Sequence, residues 1–229
     1  MLTLTELANL YQSDKGTVKP SEGHHGPRLH FTTIYEKYME EFREKEINLL
    51  EIGIGSGPSL KMWQDYFSSA KIHAIDIVDS SRFDNHRVKT FVADQTKREQ
   101  LRSVAESIPP MDIIIDDGGH MMGQQQISFG FLFSYLKSGG LYFIEDLHTS
   151  FWPYNGYRDL YGQPLDINAS RTNTTVGMIE RYLETGSISS EFLNEDEIEY
   201  LNSNIADCKL FDLPDSEYGP NKLVLFVKK

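Results

Sequence analysis

From residue 48 onward, short apolar runs alternate with stretches whose apolar positions recur every three to four residues. Asn48–Ile54 (NLLEIGI) is an apolar run ending in glycines, as a buried parallel strand does. Ser59–Phe67 has the helical period. Lys71–Ile77 and Val88–Val92 read as a second and third strand, Lys97–Ser107 as a helix, and Asp112–Asp116 (DIIID) as a fourth strand. Gln124–Leu136 reads as a helix stopped at Ser138-Gly139-Gly140, and Leu141–Ile144 as a fifth strand. Strands alternating with helices predict an α/β, doubly wound parallel sheet covered on both faces.

Ahead of this core, Leu4, Leu7, Ala8 and Tyr11 share one helical face. A polar loop, SDKGTVKPSEGHHGPR, follows, then a helix from about Thr33 to Arg43 with Ile34, Tyr38 and Phe42 as its stripe. The rhythm breaks over residues 151–200, where an aromatic-rich stretch precedes helices at Val176–Glu184 and EDEIEYL. Lys209–Leu213 and Lys222–Val227 close the chain as a β-hairpin at the sheet edge. Residues 1–30 are thus expected to form an N-terminal helix and lid-like segment. Residues 31–229 form one domain with a substrate-side insertion at about 151–205.

At 229 residues the chain suits one sizeable domain. Lys+Arg is 22 against Asp+Glu 34, a net charge of −12, which disfavours a nucleic-acid partner. The single cysteine, Cys208, excludes an intrachain disulfide and a cysteine-based zinc site. No basic-then-apolar leader pattern and no apolar run of membrane-spanning length is present, so a cytoplasmic protein without membrane partners is expected. Oligomeric state stays open.

In an open α/β sheet, ligands bind beyond the carboxyl ends of the strands. After the first strand stands Glu51-Ile52-Gly53-Ile54-Gly55-Ser56-Gly57-Pro58-Ser59. This E-x-G-x-G-x-G loop departs from the hydride-transfer fingerprint, having Pro58 where that motif needs glycine, and matches the S-adenosylmethionine form. Asp76 follows the second strand, placed to accept both ribose hydroxyls, or to serve as a helix N-cap or an exposed loop acid. Asp94-Gln95 follow the third, where an acid either meets an adenine amino group or caps the next helix.

Asp116-Asp117-Gly118-Gly119-His120 ends the fourth strand and Glu145-Asp146-Leu147-His148 the fifth. Crowded carboxylates repel one another, and a divalent cation resolves that conflict. Oxygen ligands from Asp117, Glu145 and Asp146 would select Mg²⁺, Mn²⁺ or Ca²⁺ over zinc. His120 suits a general base in the same loop, with His148 a rival or a supporting residue. Tyr11, Asp14, Lys15, His24, His25 and His30 lie where a front segment could close over such a site, or simply dock as a helix and loop. Phe151, Trp152, Tyr154, Tyr157 and Tyr161 offer rings to stack on a sugar or to pack the insertion.

LLEIGIGSGPSLKMW, HAIDI, ADQ, DIIIDDGGH and GGLYFIEDLHTSFWP together resemble the metal-dependent sugar O-methyltransferases of macrolide tailoring, the macrocin and mycinamicin type. The resemblance covers roughly residues 28–155. It implies a seven-stranded class I methyltransferase sheet with an antiparallel last strand. It also implies transfer of methyl from S-adenosylmethionine to a hydroxyl held by Mg²⁺ (or Mn²⁺), on a sugar-containing small molecule. By the same resemblance Asp117, Glu145 and Asp146 are the metal ligands and His120, with Asp117, the catalytic pair. Glu51, Gly53, Gly55, Ser56, Ser59, Asp76, Asp94, Gln95 and Asp117 form the cofactor site. The mycinamicin type carries an added N-terminal domain, whereas only about 30 residues precede the core here, so its oligomeric state does not carry over. Methylation of a phenol or catechol, and a hydroxylase-like relative of the cephalosporin-tailoring type, are the alternatives. A dedicated histidine favours an alcohol acceptor, and an oxygen-rich site disfavours iron.

Overall fold

The computed structural model describes residues 1–18, 30–151, 173–216 and 219–229. Seven strands form one sheet: β1 Asn48–Ile52, β2 Lys71–Asp76, β3 Val88–Val92, β4 Met111–Asp116, β5 Leu136–Ile144, β6 Ile205–Ser216 and β7 Gly219–Lys228. Their order is β3-β2-β1-β4-β5-β7-β6. The first five run parallel, and β7 runs antiparallel to both β5 and β6. The expected hairpin is therefore present, longer than its apolar run suggested, and its second strand lies inside the sheet. Order reverses between β1 and β4, which opens a crevice at their carboxyl ends.

Alternation within the strands divides the core into two layers. Ile113, Ile115, Leu141 and Phe143 point to one face, where α1 (Leu4–Leu10), α2 (Phe31–Met39) and α3 (Pro58–Tyr66) pack. Ile114, Tyr142, Ile144 and Phe226 point to the other. There lie α4 (Arg98–Ser107), α5 (Met122–Leu132), α6 (Thr175–Thr185) and α7 (Glu195–Asn204). Both faces are covered because both sets of side chains are apolar. Among the described residues no helix is long and apolar enough to cross a membrane.

Two local expectations need correction. The buried stripe of α2 is Phe31, Tyr35 and Met39, with Ile34, Tyr38 and Phe42 only partly covered. One position separates the two stripes. Tyr35 turns inward because its hydroxyl has a buried acid to meet, as described below. The helix expected to reach Leu136 ends at Leu132, and β5 already starts at Leu136. Lys228 fixes that junction by donating from Nζ to the carbonyls of Phe133 (3.2 Å), Ser134 (3.1 Å) and Leu136 (2.6 Å). Helices α6 and α7 match the two expected in the insertion. Their attachment includes Arg98 on α4, whose Nε and Nη2 grip the Glu197 carboxylate at 2.6 and 2.7 Å.

Candidate functional site

A cavity of about 650 Å³ opens at the carboxyl ends of the central strands. Gly53, Gly55, Ser56 and Ser59 line it from the loop after β1. Asp76, Asp94, Gln95 and Asp117 line it from the ends of β2, β3 and β4. Gln12, Ser13, Asp14 and Lys15, from the segment after α1, complete the wall. Gly53 is a glycine for two reasons. Its φ is +90°, and a Cβ there would overlap the Asp117 carbonyl oxygen and lie 2.7 Å from its carbon. The glycine loop is thus packed directly on the acidic turn of β4.

Asp76 holds that loop. Its Oδ2 accepts from the Ile54 (2.9 Å) and Gly55 (3.3 Å) amides, and its Oδ1 accepts from Val78 N (2.9 Å). Asp94 does what a turn-capping acid does, accepting from Thr96 N and Oγ1 at 2.8 Å. Gln95 ties the neighbouring turn together. Its Oε1 accepts from Gly119 N at 2.8 Å and its Nε2 donates to Asp116 Oδ1 at 3.1 Å.

Glu51 departs from the expected cofactor contact. It is fully buried and does not line the cavity. Its carboxylate accepts from Ser59 Oγ (2.9 Å) and Trp63 Nε1 (3.2 Å), so it anchors the first turns of α3 to β1. Burial pushes its pKa up, against the pull of Lys15, whose Nζ lies 4.0 Å away.

Three of the expected metal and catalytic residues converge. Asp117, His120 and Asp146 each offer a ligand atom within 4.8 Å of the others. His120 Nε2 lies 3.5 Å from Asp146 Oδ2, and His148 Nδ1 lies 3.5 Å from Asp146 Oδ1 on the buried side. Burial alone would push Asp146 up, but the two imidazoles beside it hold it below the usual carboxylate range. His120 (φ 59°) and Asp146 (φ 53°) have left-handed backbones without being glycine, a strain that packing must impose. The Thr149 hydroxyl fastens the two by donating to the His120 carbonyl at 2.8 Å and the Asp146 carbonyl at 3.3 Å.

The carboxylates of Asp117 and Asp146 converge beside the His120 imidazole, and two carboxylates fit a hard divalent cation. Glu145 is not part of the convergence. It is fully buried, accepting from the Tyr35 hydroxyl at one oxygen and from Lys15 Nζ at the other (2.7 Å). Lys15 Nζ also donates to Asp117, so one ammonium sits between the two acids. Burial pushes Glu145 well up and Asp117 up, with Lys15 opposing both.

Other participants escaped the sequence reading. Asp116, read only as half of an acid pair, is buried under Gln95, the Ser128 hydroxyl and the Gly118 amide. Burial pushes its pKa up to about 6. Tyr35 sat outside the expected stripe, and Lys15 was only one of several polar residues in a front loop. Ser128 carried no motif. His24, His25, Trp152, Tyr154, Tyr157 and Tyr161 lie outside the described residues, as does the Phe151 side chain.

No protein-family model matches the chain. It is 38% identical over 161 residues to the 8-demethyl-8-alpha-L-rhamnosyl tetracenomycin-C 2'-O-methyltransferase of Streptomyces olivaceus, covering 67% of this chain and 40% of that protein. It is 41% identical over 130 residues to the demethylmacrocin O-methyltransferase of Streptomyces fradiae, covering 54% and 33%. Among solved structures, the methyltransferase MycE of mycinamycin biosynthesis, in complex with Mg, SAH and mycinamycin VI, superposes with a TM-score of 0.74 at 28% identity. The match covers 99% of this chain and 54% of that one. The chain spans less than half the length of the curated relatives it matches. Over the part of those proteins that it spans, the chain is a relative of the macrolide-type sugar O-methyltransferases, built on the class I methyltransferase fold.

Proposed function

We propose that this chain is an S-adenosylmethionine- and Mg²⁺-dependent O-methyltransferase whose acceptor is a hydroxyl of a sugar on a glycosylated small molecule. The observation that carries the reading is a continuity. A nucleoside-sized cavity, walled by the glycine loop and the acids of β2 and β3, runs into the Asp117–His120–Asp146 cluster through Asp117 itself. The relatives' names supply the acceptor class, since they give a rhamnosyl tetracenomycin and L-olivosyl-oleandolide as the compounds methylated.

The roles follow from what each side chain has left to offer. Asp76 spends three acceptor positions on backbone amides, which leaves about one for a ribose hydroxyl. Ile77, 70% exposed at the cavity rim, gives an apolar ledge for a base. Asp117 and Asp146 would hold the cation, and Glu145, whose oxygens here accept from the Tyr35 hydroxyl and the Lys15 ammonium, joins them as third carboxylate only where Lys15 yields its place. When bound, the ion supplies Lewis-acid acidification of the hydroxyl, and S-adenosylmethionine supplies the methyl group. His120 takes the hydroxyl proton, its ring oriented by Asp146 beside Nε2.

Calorimetric titration of S-adenosylhomocysteine, followed by methyl transfer to rhamnosyl and olivosyl glycosides with EDTA and then Mg²⁺, tests the reading. Cofactor binding with turnover abolished by EDTA and restored by Mg²⁺ is expected. Absence of cofactor binding overturns it, and turnover on phenols alone moves the acceptor class.

A further inference from the structure

Lys15 takes no part in the methyl transfer itself, yet it is among the largest fully buried side chains, at 1% exposure. Its Nζ donates to Asp117 and to Glu145 Oε2 (2.7 Å), with Glu51 Oε1 at 4.0 Å. Three carboxylates thus face one ammonium, which balances part of their charge where it sits. The backbone around it is stitched in two directions. Ser13 N donates to the Ala8 carbonyl of α1 at 2.8 Å, and the Lys15 carbonyl accepts from Thr32 N of α2 at 3.1 Å. Gln12, Ser13, Asp14 and Lys15 are also cavity wall, and Asp117 belongs to both the cavity and the acid–histidine cluster.

We infer that Lys15 is a positioning residue with two opposed effects. It latches the N-terminal wall of the cofactor cavity to the acids of β4 and β5, and it competes with the divalent cation for Asp117 and Glu145. The identities of cofactor and cation rest on the methyltransferase reading; the latch does not. Two cations that share one carboxylate repel, so removing the lysine charge strengthens the hold on the ion. The same removal releases the wall, so the cofactor is held less well. A general loosening of the fold would weaken both, which makes the opposite signs diagnostic.

The test compares wild type, Lys15→Met and the double variant Lys15→Met/Glu145→Gln, which leaves fewer unpaired buried charges and keeps the latch testable should the single variant unfold. The readouts are amide hydrogen exchange at Ser13, Gly16 and Thr32, Mn²⁺ affinity by EPR titration, and S-adenosylhomocysteine affinity in EDTA. For Lys15→Met, exchange at these amides rises about tenfold, S-adenosylhomocysteine binds about tenfold more weakly and Mn²⁺ about threefold more tightly. The double variant shows the first two effects without the third, because a carboxylate is lost with the lysine. Unchanged exchange and cofactor affinity overturn the latch, and joint weakening of both ligands overturns the competition. Wild type failing to bind S-adenosylhomocysteine would sink the methyltransferase reading, while exchange and Mn²⁺ binding would still decide the role of Lys15.

Discussion

Replacing Gly53 by alanine isolates the contact between the glycine loop and the acidic turn. Two costs add at this position. A non-glycine residue at φ +90° loses about 1–2 kcal/mol. The new methyl also overlaps the Asp117 carbonyl, so the Asp117 peptide must move, and with it the 2.9 Å bond from Asp117 N to the Ile52 carbonyl. Losing that bond and overpacking the turn costs about 2–3 kcal/mol more. The expected total of about 3–5 kcal/mol lowers the melting temperature by roughly 10 °C in a chain this size. Gly55→Ala is the internal comparison. Its φ is +52° but a Cβ there meets nothing within 4 Å, so only the backbone strain of about 1 kcal/mol applies. Urea unfolding followed by circular dichroism gives both stabilities, and Mn²⁺ titration reports whether Asp117 has been displaced. Gly53→Ala should lose most of its Mn²⁺ affinity while Gly55→Ala keeps it. Equal destabilisation of the two variants, or normal Mn²⁺ binding by Gly53→Ala, would refute the collision.

Three further outcomes are expected. Asp116 titrates at about 6 in the folded chain against 3.8 as a free carboxyl, so the folded state binds the extra proton between those values. Its contribution to stability therefore falls as pH rises through that window, by up to about 3 kcal/mol. Wild type should lose stability relative to Asp116→Asn between pH 4 and pH 6.5, and a pH-independent difference would count against the assignment. Lys228→Met strips three carbonyls of their donor at the α5–β5 junction and should cost about 2–3 kcal/mol by denaturant unfolding. A double-mutant cycle on Arg98→Met and Glu197→Gln should return a coupling of about 1–2 kcal/mol, discounted because the Arg98 side chain is 31% exposed. Zero coupling would mean that α7 is docked by its apolar face alone.

Strand existence was legible because β1, β4 and β5 are near-continuous apolar runs, and only burial on both faces gives that pattern. The acids beyond them were legible because charge immediately after such a run stands out. Less could be read where a side chain's partner is distant in sequence. Asp117 and Glu145 are recognisable as acids, but that one ammonium joins them depends on Lys15, 102 and 130 positions away. Glu51 shows the same limit from the other side. Its place before the glycine loop suggested a ligand contact, whereas the Ser59 hydroxyl and Trp63 indole of the following helix take up its carboxylate. The α2 stripe was misjudged by one position because periodicity weighs hydrophobicity, and Tyr35 is buried for the sake of its hydroxyl.

Synthesis order bears on how this sheet is completed. β7 closes the edge of β5, yet it is made after β6, which lies outermost. While the nascent chain emerges, β1 to β5 can pair with one another, but the open side of β5 carries unpaired peptide groups, flanked by Leu141 and Phe143 on one face and Tyr142 and Ile144 on the other. That backbone is an adhesive edge until Gly219–Lys228 slots in against it. A ribosome-stalled or truncated product lacking β7 would expose that edge to neighbouring chains, a stage at which chaperone protection counts.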